Sequence, residues 1–326
     1  TRADEFVADR VRPPSSHRVR LAVDAQGRLS QWWHAVLSGP MLLGELLAPR
    51  WAQPLLQAVV ADFGATRGLL APYAVPRRRV EFGLRALDLH TGPWRSLGAT
   101  PNQLAIESAI DDLARGLGRD PVDFRLRQLG PEHARLAACL RRVQVLAEQR
   151  PRPAGDGVGR GYACGSYHGD SHVAACFEVR IDARSGQVRV LRAVCVQDTG
   201  LVINPDQVRA QVEGNLMMAI GQVLLEQACF DAAGACARRW GDYPVPGQQD
   251  VPQPGPDGLP SIEIELRVDR SQPPTGVGEV ALVAAAPALF NAVRDACGWR
   301  PQRLPVRPAD LRAGATGSAA ASGRGP

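Results

Sequence analysis

The chain has 326 residues, of which 45% are apolar and 22% are charged. These values are typical of soluble globular proteins, so extensive disorder is excluded, and the length allows one large or two medium domains. All 38 basic residues are arginine, which excludes chemistry that needs a lysine, such as pyridoxal-phosphate anchoring or a Walker-type phosphate loop. The formal net charge of +5 is scattered along the chain, which disfavours nucleic-acid binding.

The seven cysteines exclude several cofactors within this chain, because none of them has C-x-x-C spacing. We therefore expect no zinc ribbon, no haem c and no ferredoxin-type iron–sulfur cluster. The odd number also argues against a disulfide framework. No apolar run approaches the roughly 18 residues that a membrane span needs. Residues 1–14 lack a signal-peptide pattern and the chain does not begin with Met, so we expect a fragment or processed piece. Its compartment, cytoplasm or periplasm, stays open.

The first third of the sequence predicts a β-hairpin followed by a helix. Alternating residues predict strands at 17–25 and 30–38, whereas prolines interrupt any pattern over 39–90. Thr100 is expected to cap a helix with an apolar stripe, which Gly118 ends.

The rest of the sequence alternates between helices and paired strands. Asp120-Pro121 predicts a second helix, and the Gly- and Pro-rich residues 150–170 predict an irregular connection. Two strands, a capped helix, a third strand and a final helix are then expected at residues 173–181, 188–196, 204–224, 261–268 and 286–297. Strands in pairs with interspersed helices predict an α+β fold.

The segment Thr-Gly-Val-Gly-Glu at residues 275–279 is the most informative for chemistry. Glu279 is the sole charge before an apolar run over 280–290, so its carboxylate is expected at the edge of a buried pocket. The flanking glycines allow other groups to approach the backbone closely. A carboxylate partly removed from water is a stronger proton acceptor, as a general base requires. The alternative is that Glu279 only caps the following segment.

Two other side chains are candidates for binding. Gln211 and Asn215 lie beside the apolar stripe of their helix, and their amides need partners, either inside the protein or on a ligand. Arg95 follows Trp94, on which it could stack as a surface pair. Alternatively, Arg95 turns inward as an anion-binding fork.

Two patterns are weaker. The glycines between 155 and 165 are suggestive of a dinucleotide loop, but a Pro-rich linker precedes them and a strand follows, so a plain loop is favoured. His168 and His172 are four residues apart in an expected loop, without an acidic third ligand, so a metal site is not expected.

Taken in order, the segments resemble the molybdopterin-binding large subunit of the xanthine dehydrogenase and aldehyde oxidase family, of the isoquinoline 1-oxidoreductase β-subunit type. The resemblance runs from Thr1 to about Pro305. It rests on an ordered set of short blocks: Gly-Pro-Trp-Arg-Ser at 92–96, Ala-Ile-Glu-Ser at 105–108, Asp-Pro-Val-Asp-Phe-Arg-Leu-Arg at 120–127, Gln-Asp-Thr-Gly at 197–200, Asn-Pro at 204–205, Gln-Val-Glu-Gly at 211–214, Asp-Tyr-Pro at 242–244 and Gly-Val-Gly-Glu at 276–279.

The resemblance implies an enzyme that hydroxylates an N-heterocycle or aldehyde with water as the oxygen source. It assigns Glu279 as the catalytic base, and Arg95, Gln211, Gly276 and Gly278 as cofactor contacts. The implied cofactor is molybdopterin, in its cytosine dinucleotide form, with molybdenum. Electrons would leave through 2Fe-2S clusters on a separate small subunit, which fits the absence of cluster-type cysteine spacing here.

The chain departs from the family pattern in three places. Val280 stands where the family has Pro, His168-Gly169-Asp170 replaces Ser-Phe-Gly, and Thr199 replaces the Cys of Asp-Cys-Gly. The upstream half with the other cofactor loops is absent, so the resemblance implies a C-terminal half that pairs with an N-terminal half.

The implied organisation has three parts. Residues 1–150 would be the partial first part of the molybdopterin-binding region, 151–312 its second part with the catalytic Glu, and 313–326 a disordered tail. Two other functions stay open: a non-catalytic scaffold that only pairs with other chains, and a carboxylate-based hydrolase. The hydrolase would need a second acid beside Glu279, which the sequence does not supply.

Overall fold

A computed structural model describes residues 1–42, 51–52, 55, 61–85, 87–232, 234–239, 241–254 and 259–312. Its helices are α1 (Arg2–Ala8), α2 (Ala99–Gly116), α3 (Pro121–Gln128), α4 (Ala134–Glu148), α5 (Pro205–Ile220) and α6 (Leu282–Cys297). Its strands are β1 (Ser15–Val23), β2 (Leu29–Ser38), β3 (Arg77–Leu84), β4 (Val158–Tyr167), β5 (Ser171–Ile181), β6 (Val188–Asp198), β7 (Phe230–Asp231), β8 (Gly234–Ala235) and β9 (Ile262–Arg267). The predicted tail over 313–326 lies outside the described residues.

The strands form two larger sheets and one short hairpin. In the four-stranded sheet, β4, β5 and β6 run antiparallel, and β9 joins β6 in parallel. In the three-stranded sheet, β1 and β2 form the predicted hairpin, and β3 joins β2 in parallel. Mixed sheets with helices packed on them confirm the α+β prediction.

The four-stranded sheet is buried on both faces. Successive residues of β5 alternate between the two sides, so that Val173 and Phe177 pack among the residues of α5 and α6. Ala174 and Cys176 point the other way, toward α4. The site described below is built on the ends of these buried strands.

Strand β6 contains a bulge that the sequence pattern does not reveal. Glu178 pairs with Arg192 and Val179 with Val190, which leaves Leu191 as an extra residue. An extra residue reverses the alternation of faces. The valines before and after it, which form one alternating series in the sequence, therefore face opposite sides of the sheet.

The expected irregular connection over 150–170 is wrong in its second half, where residues 158–167 form β4. Glycines in this strand allow α6 to approach its backbone. A Cβ on Gly159 would lie 2.1 Å from the carbonyl oxygen of Ala292, and one on Gly161 would lie 2.1 Å from its nitrogen. The glycine cluster therefore serves close strand–helix packing.

The helix ends agree only partly with the sequence signals. Asp120 and Asn204 cap α3 and α5 through N–H groups of the first turn, as predicted. The predicted cap at Thr100 is wrong, because Gly98 is the N-cap and the Thr100 hydroxyl has no partner among the described residues. Helix α6 begins at Leu282 rather than at residue 286, since burial of its apolar run outweighs the helix-breaking tendency of Pro287.

No helix in the described part of the chain combines the length and apolar character that a bilayer crossing requires.

Candidate active site

The candidate site lies at one end of the four-stranded sheet, where β4 ends, β5 begins and β6 ends. A cavity of about 570 Å³ opens there. It is bordered by the C-terminal end of β4, the start of β5, the loop before α2 and the loop before α6. Its lining residues are Arg95, Tyr167, His168, Asp170, Ser171, Gly276, Gly278, Glu279 and Val280. Four of the five predicted site residues therefore line one cavity.

The carboxylate of Glu279 is held at both oxygens. Its Oε1 accepts a hydrogen bond of 2.6 Å from the Tyr167 hydroxyl, and its Oε2 accepts one of 2.7 Å from the backbone N–H of Ser96. The Ser96 hydroxyl also donates to the backbone carbonyl of Glu279. The side chain does not cap α6, whose N-cap is Ala281. Each oxygen keeps a further lone pair, so the group can still accept a proton from the cavity.

The turn that presents Ser96 has an unusual backbone. Ser96 and the following Leu97 have φ of 71° and 49°, both in the left-handed region. Side chains other than glycine rarely adopt this conformation, and each such residue costs on the order of 1–3 kcal/mol. The hydrogen bonds to Glu279 offset part of this cost, and strain of this kind is concentrated at functional sites.

Tyr167 is the main site residue that the sequence does not reveal. It ends β4 and is only 4% exposed. Burial, and then its hydrogen bond to Glu279, raise the pKa of Tyr167 to about 12, so the phenol keeps its proton and remains a donor. Arg67 donates to the phenol oxygen at 3.3 Å and lies 5.4 Å from the ring centroid. An aromatic residue at a strand end beside a Gly-rich turn is the only sequence signal for it.

Arg95 points into the protein. Its Nε donates to the carbonyl of Gly278 at 2.6 Å, and its Nη2 donates to the Oε1 of Gln211 at 2.7 Å. The stack on Trp94 is made by Arg12 instead, whose guanidinium carbon lies 4.8 Å from the ring centroid. The surface-stacking alternative for Arg95 is therefore wrong.

Gln211 lies on the exposed side of α5, and only its oxygen is engaged. Its side-chain NH₂ has no acceptor among the described residues. Asn215, one turn later, donates to the backbone carbonyl of Gln211 at 2.7 Å and to that of Gly278 at 3.1 Å. The internal alternative thus applies to Asn215, while Gln211 keeps a free donor beside the loop before α6.

The loop over residues 275–279 is fixed at its start and open along its backbone. The Ser171 hydroxyl lies 2.7 Å from the Thr275 hydroxyl, and the Thr275 N–H donates to Thr199 at 3.0 Å. The N–H groups of residues 276–278 have no acceptor in the described part of the chain. A Cβ on Gly276 would meet no atom within 4 Å. The loop therefore presents unpaired donors to open space.

Two of the motif blocks have a structural role. Glu107 and Arg125 come from separate blocks and form a fully buried ion pair of 2.8 Å. The same carboxylate accepts from the N–H of Cys164 in β4 at 2.9 Å. The pair therefore ties α2 and α3 to the strand that carries Tyr167.

His168 and His172 lie in different environments. His168 is exposed, whereas His172 is buried and its Nδ1 lies 2.8 Å from the Ser166 hydroxyl. Within the described residues, no three His, Cys, Asp or Glu side chains are placed to hold a metal ion.

Comparison with known proteins gives a consistent result. The model of the molybdopterin cofactor-binding domain matches residues 134–252. The chain is 33% identical over 273 residues to a nicotinate dehydrogenase subunit of Pseudomonas putida, a match that covers 80% of this chain and 22% of the relative. It is 30% identical over 312 residues to the beta subunit of isoquinoline 1-oxidoreductase of Brevundimonas diminuta, a match that covers 95% of this chain and 38% of the relative.

The fold agrees with these sequence matches. The crystal structure of quinoline 2-oxidoreductase from Pseudomonas putida 86 superposes with a TM-score of 0.79 at 16% identity, over 97% of this chain and 64% of that one. The chain therefore belongs to the molybdopterin-binding subunits of the xanthine dehydrogenase and aldehyde oxidase family, and the beta subunit of isoquinoline 1-oxidoreductase is one of the relatives that it resembles along most of its length. It spans only 22% and 38% of the two curated relatives.

The residues present fit the cofactor of this family. Molybdopterin carries phosphate oxygens and a pterin ring, both of which accept hydrogen bonds. The N–H groups of residues 276–278 and the NH₂ of Gln211, which have no acceptor among the described residues, are donors of the matching kind. Gly276 and Gly278 line the cavity, and Gln211 lies outside its lining, held by Arg95. The absence of a Cβ at Gly276 and Gly278 leaves the approach to these donors open.

Proposed function

We propose that the chain is the part of a molybdenum hydroxylase that carries the general base, and that the complete enzyme oxidises an N-heterocycle or an aldehyde with water as the oxygen source. The observation that carries this proposal is the carboxylate of Glu279. It faces a cavity of about 570 Å³ and is held there by Tyr167 and Ser96. A fixed carboxylate with free lone pairs is what general-base catalysis requires.

In this proposal, the residues of the chain have separate tasks. Glu279 accepts a proton at one of its carboxylate oxygens as water provides the oxygen atom. Tyr167 and Ser96 hold that carboxylate in one orientation, so no reorientation is needed when the proton moves. When bound, the molybdenum cofactor supplies the oxidising centre that takes two electrons from the substrate carbon.

The cofactor contacts would come from the loop before α6 and from α5. The N–H groups of residues 276–278 would donate to the cofactor, including at Gly276 and Gly278. Arg95 holds the oxygen of Gln211, so the NH₂ of this amide would be the group that donates to the cofactor. We propose the cytosine dinucleotide form of molybdopterin.

The proposed partners are a small subunit with 2Fe-2S clusters and a further, N-terminal part of the large subunit. The relatives are named as subunits, and they extend well beyond the region that this chain matches. The division into parts at 1–150 and 151–312 belongs to the same proposal.

The test is Glu279→Gln in the complete large subunit, assembled with its iron–sulfur partner. Turnover should fall at least ~100-fold, the low end of general-base effects, while molybdenum and pterin contents stay unchanged. Glu148→Gln, an exposed glutamate at the end of α4, is the matched control and should leave turnover unaltered. Undiminished turnover in Glu279→Gln would remove the assignment.

The scaffold alternative is motivated by the altered loop at residues 168–170, which borders the cavity. Metal analysis tests it. Stoichiometric molybdenum in the assembled complex supports the enzyme. No molybdenum in any combination of subunits supports a scaffold.

A further inference from the structure

The short hairpin of β7 and β8 brings two cysteines together. Asp231 pairs with Gly234 and Phe230 with Ala235, so the next pair along the ladder is Cys229 and Cys236. The N–H of Cys236 donates to the carbonyl of Cys229 at 2.9 Å, which continues the pairing. Directly opposite residues of an antiparallel ladder have Cα atoms about 4.5–5.5 Å apart, inside the range that a disulfide spans.

The two sulfur atoms already touch. The Sγ atoms of Cys236 and Cys229 lie 2.8 Å apart, closer than a hydrogen bond between two thiols. A disulfide bond measures about 2.05 Å, so the two sulfur atoms need to approach by less than ~1 Å to form one.

This pair differs from the other cysteines in access. Cys229 is exposed and Cys236 is half-buried, whereas four of the remaining five are buried, namely Cys139, Cys164, Cys176 and Cys195. The fifth, Cys297, is half-buried and its thiol contacts a backbone carbonyl at 3.1 Å. Among the seven cysteines, only the pair at the hairpin therefore combines access from solution with a second thiol beside it.

We propose that Cys229 and Cys236 form a reversible disulfide by exchange with a small disulfide such as oxidised glutathione. The Cys229 thiolate attacks one glutathione sulfur, which breaks the glutathione S–S bond and releases one glutathione thiolate. Cys236 then loses its proton and attacks the Cys229 sulfur, which forms the protein disulfide and releases the second glutathione. Two protein thiols are oxidised, and one glutathione disulfide is reduced to two thiols.

The disulfide would close the hairpin at its base. The chain on either side of it continues into the region where Tyr243 donates to Glu226 at 3.1 Å. The link would therefore restrain the segment after α5, next to the helix that carries Gln211. The inference is independent of the reaction that the chain takes part in.

The sequence makes the test simple. Trypsin cuts after Arg209 and Arg238, and the peptide between these two cuts contains both cysteines and no other. The complete chain is equilibrated in glutathione buffers of increasing reduced fraction, quenched in acid and alkylated. The peptide is then measured by mass spectrometry, once from chain that was equilibrated in its native state and once from chain that was equilibrated in urea.

In oxidising buffers, we expect the peptide from the native chain to have a mass lower by two hydrogens and to resist alkylation. Because the fold holds the thiols together, the native disulfide should survive at least ~10-fold more reduced glutathione than the disulfide of the urea-unfolded chain. Cys236→Ser should stop the reaction at one glutathione on Cys229. Cys297→Ser, the control, should change neither result.

Two outcomes would overturn the inference. One is full alkylation of both thiols in native protein at every glutathione ratio. The other is equal stability of the disulfide in native and unfolded chain, which would mean that the fold does not hold the pair.

Discussion

The hydroxyl of Tyr167 and the carboxylate of Glu279 are joined by a hydrogen bond of 2.6 Å, although 112 residues separate them in the chain. Tyr167 ends a strand and Glu279 precedes a helix packed on that strand. The base of the proposed reaction is thus oriented by the sheet itself rather than by its own loop.

Tyr167→Phe should therefore impair the base without disturbing the fold. The ring still packs, but the donor is lost, and turnover of the assembled enzyme should fall about 10-fold. The loss should fall mainly on kcat, because the lost donor orients the base. A rise in KM with kcat unchanged would contradict a role for Tyr167 in orienting the base.

Arg95→Lys should weaken cofactor retention more than it affects folding. A lysine cannot hold Gly278 and Gln211 at the same time, because it lacks the planar fork of the guanidinium. We expect the molybdenum content after gel filtration to fall several-fold. A loss of ~1.4 kcal/mol of binding free energy corresponds to about a 10-fold weaker affinity. Arg12→Lys alters the stack on Trp94 without touching Gly278 or Gln211, so it is the comparison and should retain the metal.

Glu107→Gln should be strongly destabilising. It removes the nearest charge partner of the buried Arg125 guanidinium, at 2.8 Å, and leaves only the buried Asp111 at 3.9 Å. Breaking such a pair costs about 3–5 kcal/mol of unfolding free energy. Urea denaturation measures the loss. The double variant Glu107→Leu with Arg125→Met should lose less than Glu107→Gln alone, and a larger loss would contradict the argument.

The folded chain should lose stability in acid because of buried histidines. Burial lowers the pKa of His34 and, with a contribution from Arg135, that of His172, each to about 4. Unfolded histidine takes up a proton near pH 6.5, whereas the folded groups stay neutral until about pH 4. The contribution of these histidines to the free energy of unfolding is therefore fully present above pH 6.5 and is lost as the pH falls toward 4.

Urea midpoints at pH 7.5, 6 and 5 measure this loss. In His172→Asn, which keeps an acceptor or donor near Ser166, the decline between pH 7.5 and 5 should be shallower. An equally steep decline would show that His172 does not contribute.

The sequence predicts part of this site and misses the rest for a physical reason. Glu279 is recognisable as one charge at the edge of an apolar run, and the helix of Gln211 follows from its cap and stripe. Tyr167 and Ser96 act through contacts between distant segments, which no local pattern encodes. The bulge at Leu191 and the start of α6 escape prediction because tertiary packing overrides local propensity.

The two strand glycines have a further consequence for the base. Gly159 and Gly161 let the backbone of α6 rest directly on β4, so the thickness of one packed layer fixes the separation between this helix and this strand. Glu279 precedes the helix and Tyr167 ends the strand. A single methyl group on either glycine would push the helix away from the strand. The carboxylate of Glu279 would then move away from the hydroxyl of Tyr167, although neither of these two residues had been changed.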